Sequence, residues 1–417
     1  MNSSCQLSNG QAMPHSTTSA WPCANHWAYP AAEWFAEAFD ARAVRAWLAA
    51  GGAPHWRQPI ALNISMPAPH GAECACDRAD CVQASVCVAH LEQEMALYHA
   101  TRGERATVVE MRWSAGVTAR PKGTLERLRT AVDEHFERSP RSSFSAVVEP
   151  GIRAGASLPA LRELGVTSLC VIFENDWSAA TAYLAAARDM GFVAVEAKVC
   201  AESKGTSLGR QLDALIASEP TRIVLPSARM HSAVSHLLDA GYVCIARNVL
   251  AIPADSHAIA HRQGRLTRQP YGYSSRPVGA VLALGQQAIG YIGPLYYQNH
   301  RLPRHYFSAL GRGKLPVERG LHLTHEDLTR LAVIGSLSAN LFVDIAAIEA
   351  IYKIDFRQYF DVEWKALSEF LRIGVLTLDS MCLALTPTGR LCCDDVCRVF
   401  DQRARLLAEH TPQPGLL

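Results

Sequence analysis

The stretch PIALNISMPAPHGAECACDRADCVQASVCVAHLEQEM, residues 59–95, decides how the rest of the chain is read. It opens as a buried strand over 59–66 and breaks at Pro67 and Pro69, which carry no N–H for a sheet ladder. A loop dotted with Cys74, Cys76 and Cys81 follows, and the segment closes in a helix that carries Cys87. Strand, cysteine loop and helix in this order make a first βα unit with candidate ligands beyond the strand's C-terminal end.

Working outward, the same alternation repeats to about residue 250. Strands are expected at 59–66, 107–113, 144–148, 167–173, 192–198 and 222–226, with amphipathic helices such as TLERLRTAVDEHFERS and WSAATAYLAAARDMG between them. Strands joined by helices of that length imply right-handed βαβ crossovers and a parallel sheet. Six units fall short of the eight of a closed barrel, so a partial barrel and a doubly wound sheet both fit. YVCIARNVL (242–250) offers a further strand, and GAVLALGQQAIGYIG reads as a small β element within a looser connecting region, 251–315. Ahead of the barrel (59–250), HWAYPAAEWFAEAFDARAVRAWLAAGG forms a helical arm over 26–58, preceded by a polar tail expected to be disordered, 1–25. From 316 to 405 the texture is helical. Thr324 with Asp327 makes a capping-box variant, and GVLTLDSMCLALTPTGR alternates like a hairpin, which gives a winged-helix-like module before a short tail, 406–417.

Composition sets bounds on function. The 417 residues are 49% hydrophobic and 19% charged with a formal net charge of +1, so neither a nucleic-acid nor a membrane surface is expected. The terminal helix carries Asp394, Asp395 and Asp401 and no basic stripe, which argues against DNA binding by the winged module. No apolar run is long enough to span a bilayer and no secretory pattern opens the chain, so a cytoplasmic location is expected. Thirteen cysteines, an odd number, argue against a disulfide scaffold. Those in apolar runs, Cys170, Cys200 and Cys244, are expected as buried reduced thiols. Cys74, Cys76, Cys81 and Cys87 cluster in a loop-like setting instead.

The C-terminal third makes a resemblance specific. Arg319-Gly320, Glu326-Asp327, Val333-Ile334 with Leu337 and Asn340, Asp355-Phe356 with Tyr359-Phe360, and Leu385-Thr386 with Gly389-Arg390 and Phe400-Asp401 follow one family pattern. GYSS (272–275), YYQN (296–299) and the N-terminal AYPAAEWFAEAF extend it over nearly the whole chain from about residue 26. In these features the chain resembles the oxygen-independent coproporphyrinogen III oxidases, a HemN-like radical-SAM family. The resemblance implies a partial (βα)6 barrel, in agreement with the six units counted above.

It also implies a chemistry that these residues do not support. The family holds a [4Fe–4S] cluster on CxxxCxxC and leaves one iron open for S-adenosylmethionine (SAM). The three ligand positions fall here on Pro69, Glu73 and Cys76. Iron–sulfur clusters take thiolates, and proline cannot ligate at all. The family's preceding tyrosine and histidine become Asn63 and Ser65, and its glycine turn WGGGTP becomes Trp113-Ser114-Ala115-Gly116-Val117-Thr118. Acids expected in two later strands align with Val147 and Lys198, a glutamine and an aspartate with Glu174 and Asn175, and YGLP with Ala201-Glu202-Ser203-Lys204. The leading expectation is a fold-retaining, cluster-deficient relative with neither cofactor, acting in binding or regulation toward a tetrapyrrole or a haem-pathway protein. A second is an active radical-SAM decarboxylase whose shifted thiols Cys74, Cys76, Cys81 and Cys87, with His70 nearby, hold the [4Fe–4S] cluster or a zinc ion. A third is a haem or porphyrin carrier with an axial ligand among His70, His231, His236, His257, His261 and His300. The pairs Tyr296-Tyr297 and Tyr306-Phe307 are expected to pack the domain junction, and Asp394-Asp395 to complement a helix dipole.

Overall fold

The computed structural model describes residues 29–49, 58–67, 82–150, 156–174, 176–200 and 208–410. The expected N-terminal tail, the loop cysteines Cys74, Cys76 and Cys81, His70 and Asn175 lie outside the described residues.

All six expected strands form: β1 (Ile60–Ile64), β2 (Ala106–Trp113), β3 (Phe136–Val148), β4 (Ser168–Phe173), β5 (Ala194–Val199) and β6 (Arg222–Val224). Each pairs parallel with the next. Between them lie α2 (Val82–Arg102), α3 (Lys122–His135), α4 (Leu158–Glu163), α5 (Trp177–Asp189) and α6 (Leu208–Ala217), with α7 (Ser227–Asp239) after β6 and α1 (Ala41–Ala49) ahead of β1. The period-2 alternation of a strand sorts the side chains into two faces. Leu62, Met111, Phe144, Leu169, Val195 and Ile223 face outward into one apolar core with Leu91, Met95 and Tyr98 of α2 and Leu125, Leu128 and Val132 of α3. The opposite, inner face carries Asn63, Glu110, Arg112, Ser145, Cys170, Glu196, Lys198 and Arg222 in register across β1 to β6.

The sheet is larger than six strands. Residues 242–250 make two short strands rather than one, β7 (Val243–Ala246) and β8 (Val249–Ala251), and β8 turns back antiparallel on β6. After α8 (Ser256–Arg262), a small hairpin pairs β9 (Thr267–Gln269) with β10 (Gly272–Ser274). GAVLALGQQAIGYIG is no isolated β element. Its first half is β11 (Ala280–Leu284), buried along its length and parallel to β1. The antiparallel β12 (Ile289–Ile292), β13 (Leu295–Asn299) and β14 (Val317–His322) follow, with α9 (Pro303–Gly311) between the last two, and complete a twelve-stranded sheet.

The N-terminal arm covers the β14 edge. Ala36 and Gly320 exchange backbone hydrogen bonds of 2.8 and 3.1 Å. A Cβ at Gly320 would lie 2.3 Å from the Phe39 ring and 2.6 Å from the Tyr296 carbonyl oxygen, so the arm seats only against glycine.

The C-terminal module has its own apolar core, in which Val333, Ile334 and Leu337 of α10 (His325–Asn340) meet Phe356, Phe360 and Phe400. Around α10 lie α11 (Ile345–Tyr352), α12 (Asp361–Arg372), α13 (Cys393–Val399), α14 (Gln402–His410) and a three-stranded sheet of β15 (Phe342–Asp344), β17 (Cys382–Leu385) and β16 (Leu376–Leu378). The expected hairpin is the β16–β17 pair, and the Thr324–Asp327 capping box is present. Asp394 sits in the first turn of α13, yet it does more than complement a dipole: it pairs with Arg247, buried next to β7.

Candidate functional site

In a β/α architecture the ligand end is where the strands finish at their C-termini. Besides Glu174 after β4 and Leu225-Pro226 after β6, four strand ends frame the site. β1 ends on Ser65-Met66-Pro67, β2 on Ser114-Ala115-Gly116, β3 on Glu149-Pro150 and β5 on Cys200.

The turn after β2 is folded onto the chain itself. Ser114 donates its N–H to the Ile64 carbonyl at 3.0 Å, and its hydroxyl accepts from the Met66 N–H at 3.4 Å. A single helical turn, Ala115–Thr118, then brings Gly116 against β1, where an added Cβ would stand 2.0 Å from the Met66 carbonyl oxygen. Arg120, buried, locks the contact by donating to the Pro67 carbonyl at 2.7 Å and to the Gly116 carbonyl at 3.2 Å. The remaining glycine of the altered turn therefore admits the protein's own backbone.

Beside this turn the inner face is apolar. Val147, Cys170 and Ile172 pack together with Ala115 and Cys200. Burial, and then the neighbouring Glu196, push the Cys170 thiol up to about 12, so it is a thiol and no nucleophile. Cys244, also expected as a reduced thiol, is buried and unbridged. Cys200 departs from that expectation: it is disulfide-bonded.

Deeper in, charged groups line the inner face. Arg222 holds Asp255 at 3.0 Å and lies 3.5 Å from Glu196. Burial alone would raise the Glu196 carboxyl, but the fields of Arg222 and Arg112 and, more weakly, Lys198 outweigh it and hold the group low. Glu110, raised by burial, accepts from the Ser274 hydroxyl. Arg112 stands with its guanidinium carbon 5.9 Å from the Tyr271 ring centre. Lys198 lies on this face in register with Ile172 and Val224.

The expected ligand set is not brought together among the described residues. Cys87 lies in α2, packed against the outer core and lining a small cavity with Leu91, Tyr306 and Phe307. Among the described residues, no group of three or more His, Cys, Asp or Glu side chains is placed to hold a metal ion. Of the candidate axial ligands, exposed His236 is paired with Asp213 at 2.9 Å, and the His300 ring centre lies 5.7 Å from that of His305. His257 and His261 do share α8. Burial, then Arg222 and Arg112, hold His257 well below its usual value, and His261 lies 3.4 Å from the Ala339 carbonyl oxygen. The side chain of His231 lies outside the described ones.

Among the buried acids that sequence reading passed over, one is the most enclosed by donors. Glu94 of α2 is fully buried, and its carboxylate accepts from the Tyr306 hydroxyl at 2.6 Å, the Asn299 amide at 2.7 Å and the Gly285 N–H at 2.8 Å. Tyr297 accepts from the Tyr98 hydroxyl at 2.8 Å in the same region, so Tyr297 and Tyr306 brace α2 rather than the domain junction. Tyr296 alone of these lines a cavity between the arm and α10. The overlooked signal was position: Leu91, Glu94, Met95 and Tyr98 follow the i, i+3, i+4, i+7 stripe, which puts Glu94 on the apolar face.

No protein-family model matches the chain. It is 31% identical to the oxygen-independent coproporphyrinogen III oxidase of Pseudomonas aeruginosa over 222 residues, 47% of this chain and 48% of that one. The oxidase of Synechocystis is 33% identical over 176 residues, 41% of this chain and 38% of the relative. In these two alignments the chain spans about half or less of the relative's length. The oxidase of Salmonella typhimurium aligns at 27% over 431 residues, 91% of this chain and 93% of that one. Among solved structures, coproporphyrinogen III oxidase (HemN) from Escherichia coli, described as a radical SAM enzyme, superposes with a TM-score of 0.79 at 24% identity. It covers 90% of this chain and 96% of that one, a likeness that shows the fold.

Proposed function

We propose that this chain, a divergent relative of the oxygen-independent coproporphyrinogen III oxidases, has kept the barrel and lost the cluster chemistry, and acts by binding or regulation in tetrapyrrole metabolism. The observation that carries the reading is the turn after β2. Gly116 and Arg120 are fastened to the backbone of Met66 and Pro67, on the side where a SAM methionine would need open backbone. Val147 and Lys198 add to it, since an apolar side chain and a cation replace two acids where a ribose and a sulfonium need them. The residues present do not fit the cluster or SAM. A proline and a carboxylate stand at two of the three thiolate positions. The tetrapyrrole link rests on kinship, which assigns a fold more firmly than a role.

The test is anaerobic reconstitution with iron and sulfide, followed by iron quantification and a SAM titration. A colourless protein with sub-stoichiometric iron and no SAM binding is the expected result. A full complement of iron, a broad brown absorbance and cleavage of the adenosyl group under reductant would establish a working oxidase that uses the shifted cysteines. Titration with coproporphyrin III, followed by its absorbance shift, addresses the ligand.

A further inference from the structure

The helix α11 (Ile345–Tyr352) is apolar on the face it buries and on the face it shows. Ile345 and Ile348 pack into the core of the C-terminal module. Glu349, the one charged residue within the helix, is half-buried and accepts the Phe356 N–H at 2.8 Å. Outside remain Ala346, Ala347, Ala350 and Ile351, all exposed, and Ile351 keeps 69% of its surface accessible. Met381, 63% exposed, extends this strip at the N-terminal end of the helix, where its carbonyl accepts the Ile345 N–H at 2.8 Å. A single exposed apolar side chain is ordinary, but a helix that is apolar all round is normally covered. The neighbouring α12 shows the usual surface pattern, with Lys365, Glu369 and Arg372 exposed.

The order of residues along the strip says what fits it. At about 100° per residue, Ala346, Ala347, Ala350 and Ile351 fall on one half of the helix surface, with Asp344 and Lys353 at its two ends. Asp344 is the exposed N-cap and accepts the Ala347 N–H at 2.9 Å; Lys353 is the exposed C-cap. Neither takes part in an ion pair among the described residues. The face is symmetric about the midpoint between Ile348 and Glu349. Ala347 mirrors Ala350, Ala346 mirrors Ile351, and Asp344 mirrors Lys353 with opposite charge. Turning the helix end over end about that midpoint lays each residue on its counterpart. The end charges also complement the helix dipole, which explains their signs but not the uncharged face between them.

We propose that α11 is a self-association surface, on which a second copy of this chain lays its own α11 antiparallel about a two-fold axis. A two-fold contact uses the same patch on both copies, so it requires a patch whose residues pair with themselves in reverse order. Ala347 faces Ala350 of the second copy beside the axis, where small side chains let the helices approach closely. Ala346 receives Ile351 of the second copy, and Asp344 meets Lys353 at each end. Met381 lengthens the strip at the Asp344 end. The helix is only about two turns long. The contact therefore lies at the small end of specific interfaces, and the dimer is reversible. This inference goes beyond the proposed function and is independent of the cluster and of any tetrapyrrole.

Sedimentation velocity on the full chain, from low to high micromolar concentration, tests it. A reversible monomer–dimer equilibrium is expected. Ala350→Glu, which sets a carboxylate beside the axis at an exposed helical position, should abolish it. Lys353→Glu sets two acids against each other at both ends and should weaken the dimer about tenfold at low salt. Adding Asp344→Asn, which keeps the cap, should recover part of that loss. Equal affinity in Ala350→Glu would place the contact elsewhere and overturn the proposal, and unchanged affinity in Lys353→Glu would overturn the antiparallel arrangement. A monomer at every concentration also overturns it. In that case a melting temperature lowered by Ala350→Glu gives the face to another segment of the same chain, and an unchanged one gives it to a different protein.

Discussion

Glu94 is a carboxyl in the core whose three partners are all donors and none of them charged. Burial raises it to about 7 from 4.5, against the lowering effect of Tyr306, Gly285 and Asn299. The sign follows from proton linkage. Between pH 4.5 and about 7 the folded chain holds a proton on Glu94 that the unfolded chain has released. This contribution to stability is therefore fully present below the unfolded value and is lost as pH rises through the folded one, by about 3 kcal/mol in all at ~1.4 kcal/mol per unit. Glu94→Gln should flatten this dependence. Asn299 leaves its own amide oxygen unpaired in the core, so a flip could meet the new amide. Urea midpoints at pH 5 and pH 7.5 measure it; equal pH dependence in the two proteins would mean that Glu94 titrates as an ordinary carboxyl. The residue was legible as a helical acid but not as a buried one, because a glutamate on an apolar stripe is usually read as an edge residue. Arg112 and Glu110 had the opposite problem. Their alternation in TVVEMRW was visible, yet only the sheet shows that the polar side faces inward.

Asp327 joins three elements. It closes the capping box at the start of α10 by accepting from the Thr324 N–H at 2.9 Å. It also takes both Arg403 nitrogens at 2.9 and 2.8 Å and the Tyr29 hydroxyl of the arm at 3.4 Å. Burial opposes ionisation, but Arg403 and Thr324 prevail and lower the carboxyl to about 2 from 3.8. Its contribution is present above pH 3.8 and is lost as pH falls through about 2. Asp327→Asn should cost roughly 1–3 kcal/mol at neutral pH and remove part of the acid-side slope, read from denaturation curves at pH 7 and pH 3. Local signals of this kind were readable in advance: THED announced the cap, and strand–helix alternation announced β1 to β6. What escaped was long-range pairing. AVLAL is an unbroken apolar run, and nothing local in it specifies that it lies parallel to β1, more than two hundred residues away, in the pairing Ile60 to Ala280. The 242–250 stretch turned out to be a hairpin because Arg247 and Asn248 form its turn, a signal too short to outweigh the apolar residues around it.

Across the molecule, barrel and C-terminal module are joined by polar contacts over a buried junction. Asn340 donates to the Leu266 carbonyl at 3.1 Å and Tyr273 to the Ser338 carbonyl at 3.3 Å, while Arg247 pairs with Asp394. Removing only the acid, Asp394→Ala, would take a charged partner from a buried guanidinium and should cost roughly 3–5 kcal/mol, with much of it recovered in Arg247→Met/Asp394→Leu. Under the proposed loss of cluster chemistry, the more general question is whether the two cofactor functions would have been lost together or separately. In sequence the positions that resemble the ligand set follow β1, whereas those that resemble the SAM contacts fall in the turn after β2 and in β3 and β5. Restoring only the loop, by P69C/E73C beside Cys76, should therefore raise bound iron and visible absorbance after anaerobic reconstitution. It should leave SAM binding and cleavage absent, because Arg120 still holds the turn against Pro67 and Lys198 still presents a cation. Adding Lys198→Asp removes that repulsion but not the closed turn, so SAM affinity should improve by less than a restored site requires. Recovery of SAM cleavage in the P69C/E73C protein alone would show that the turn opens readily and that the thiolates were the only thing missing.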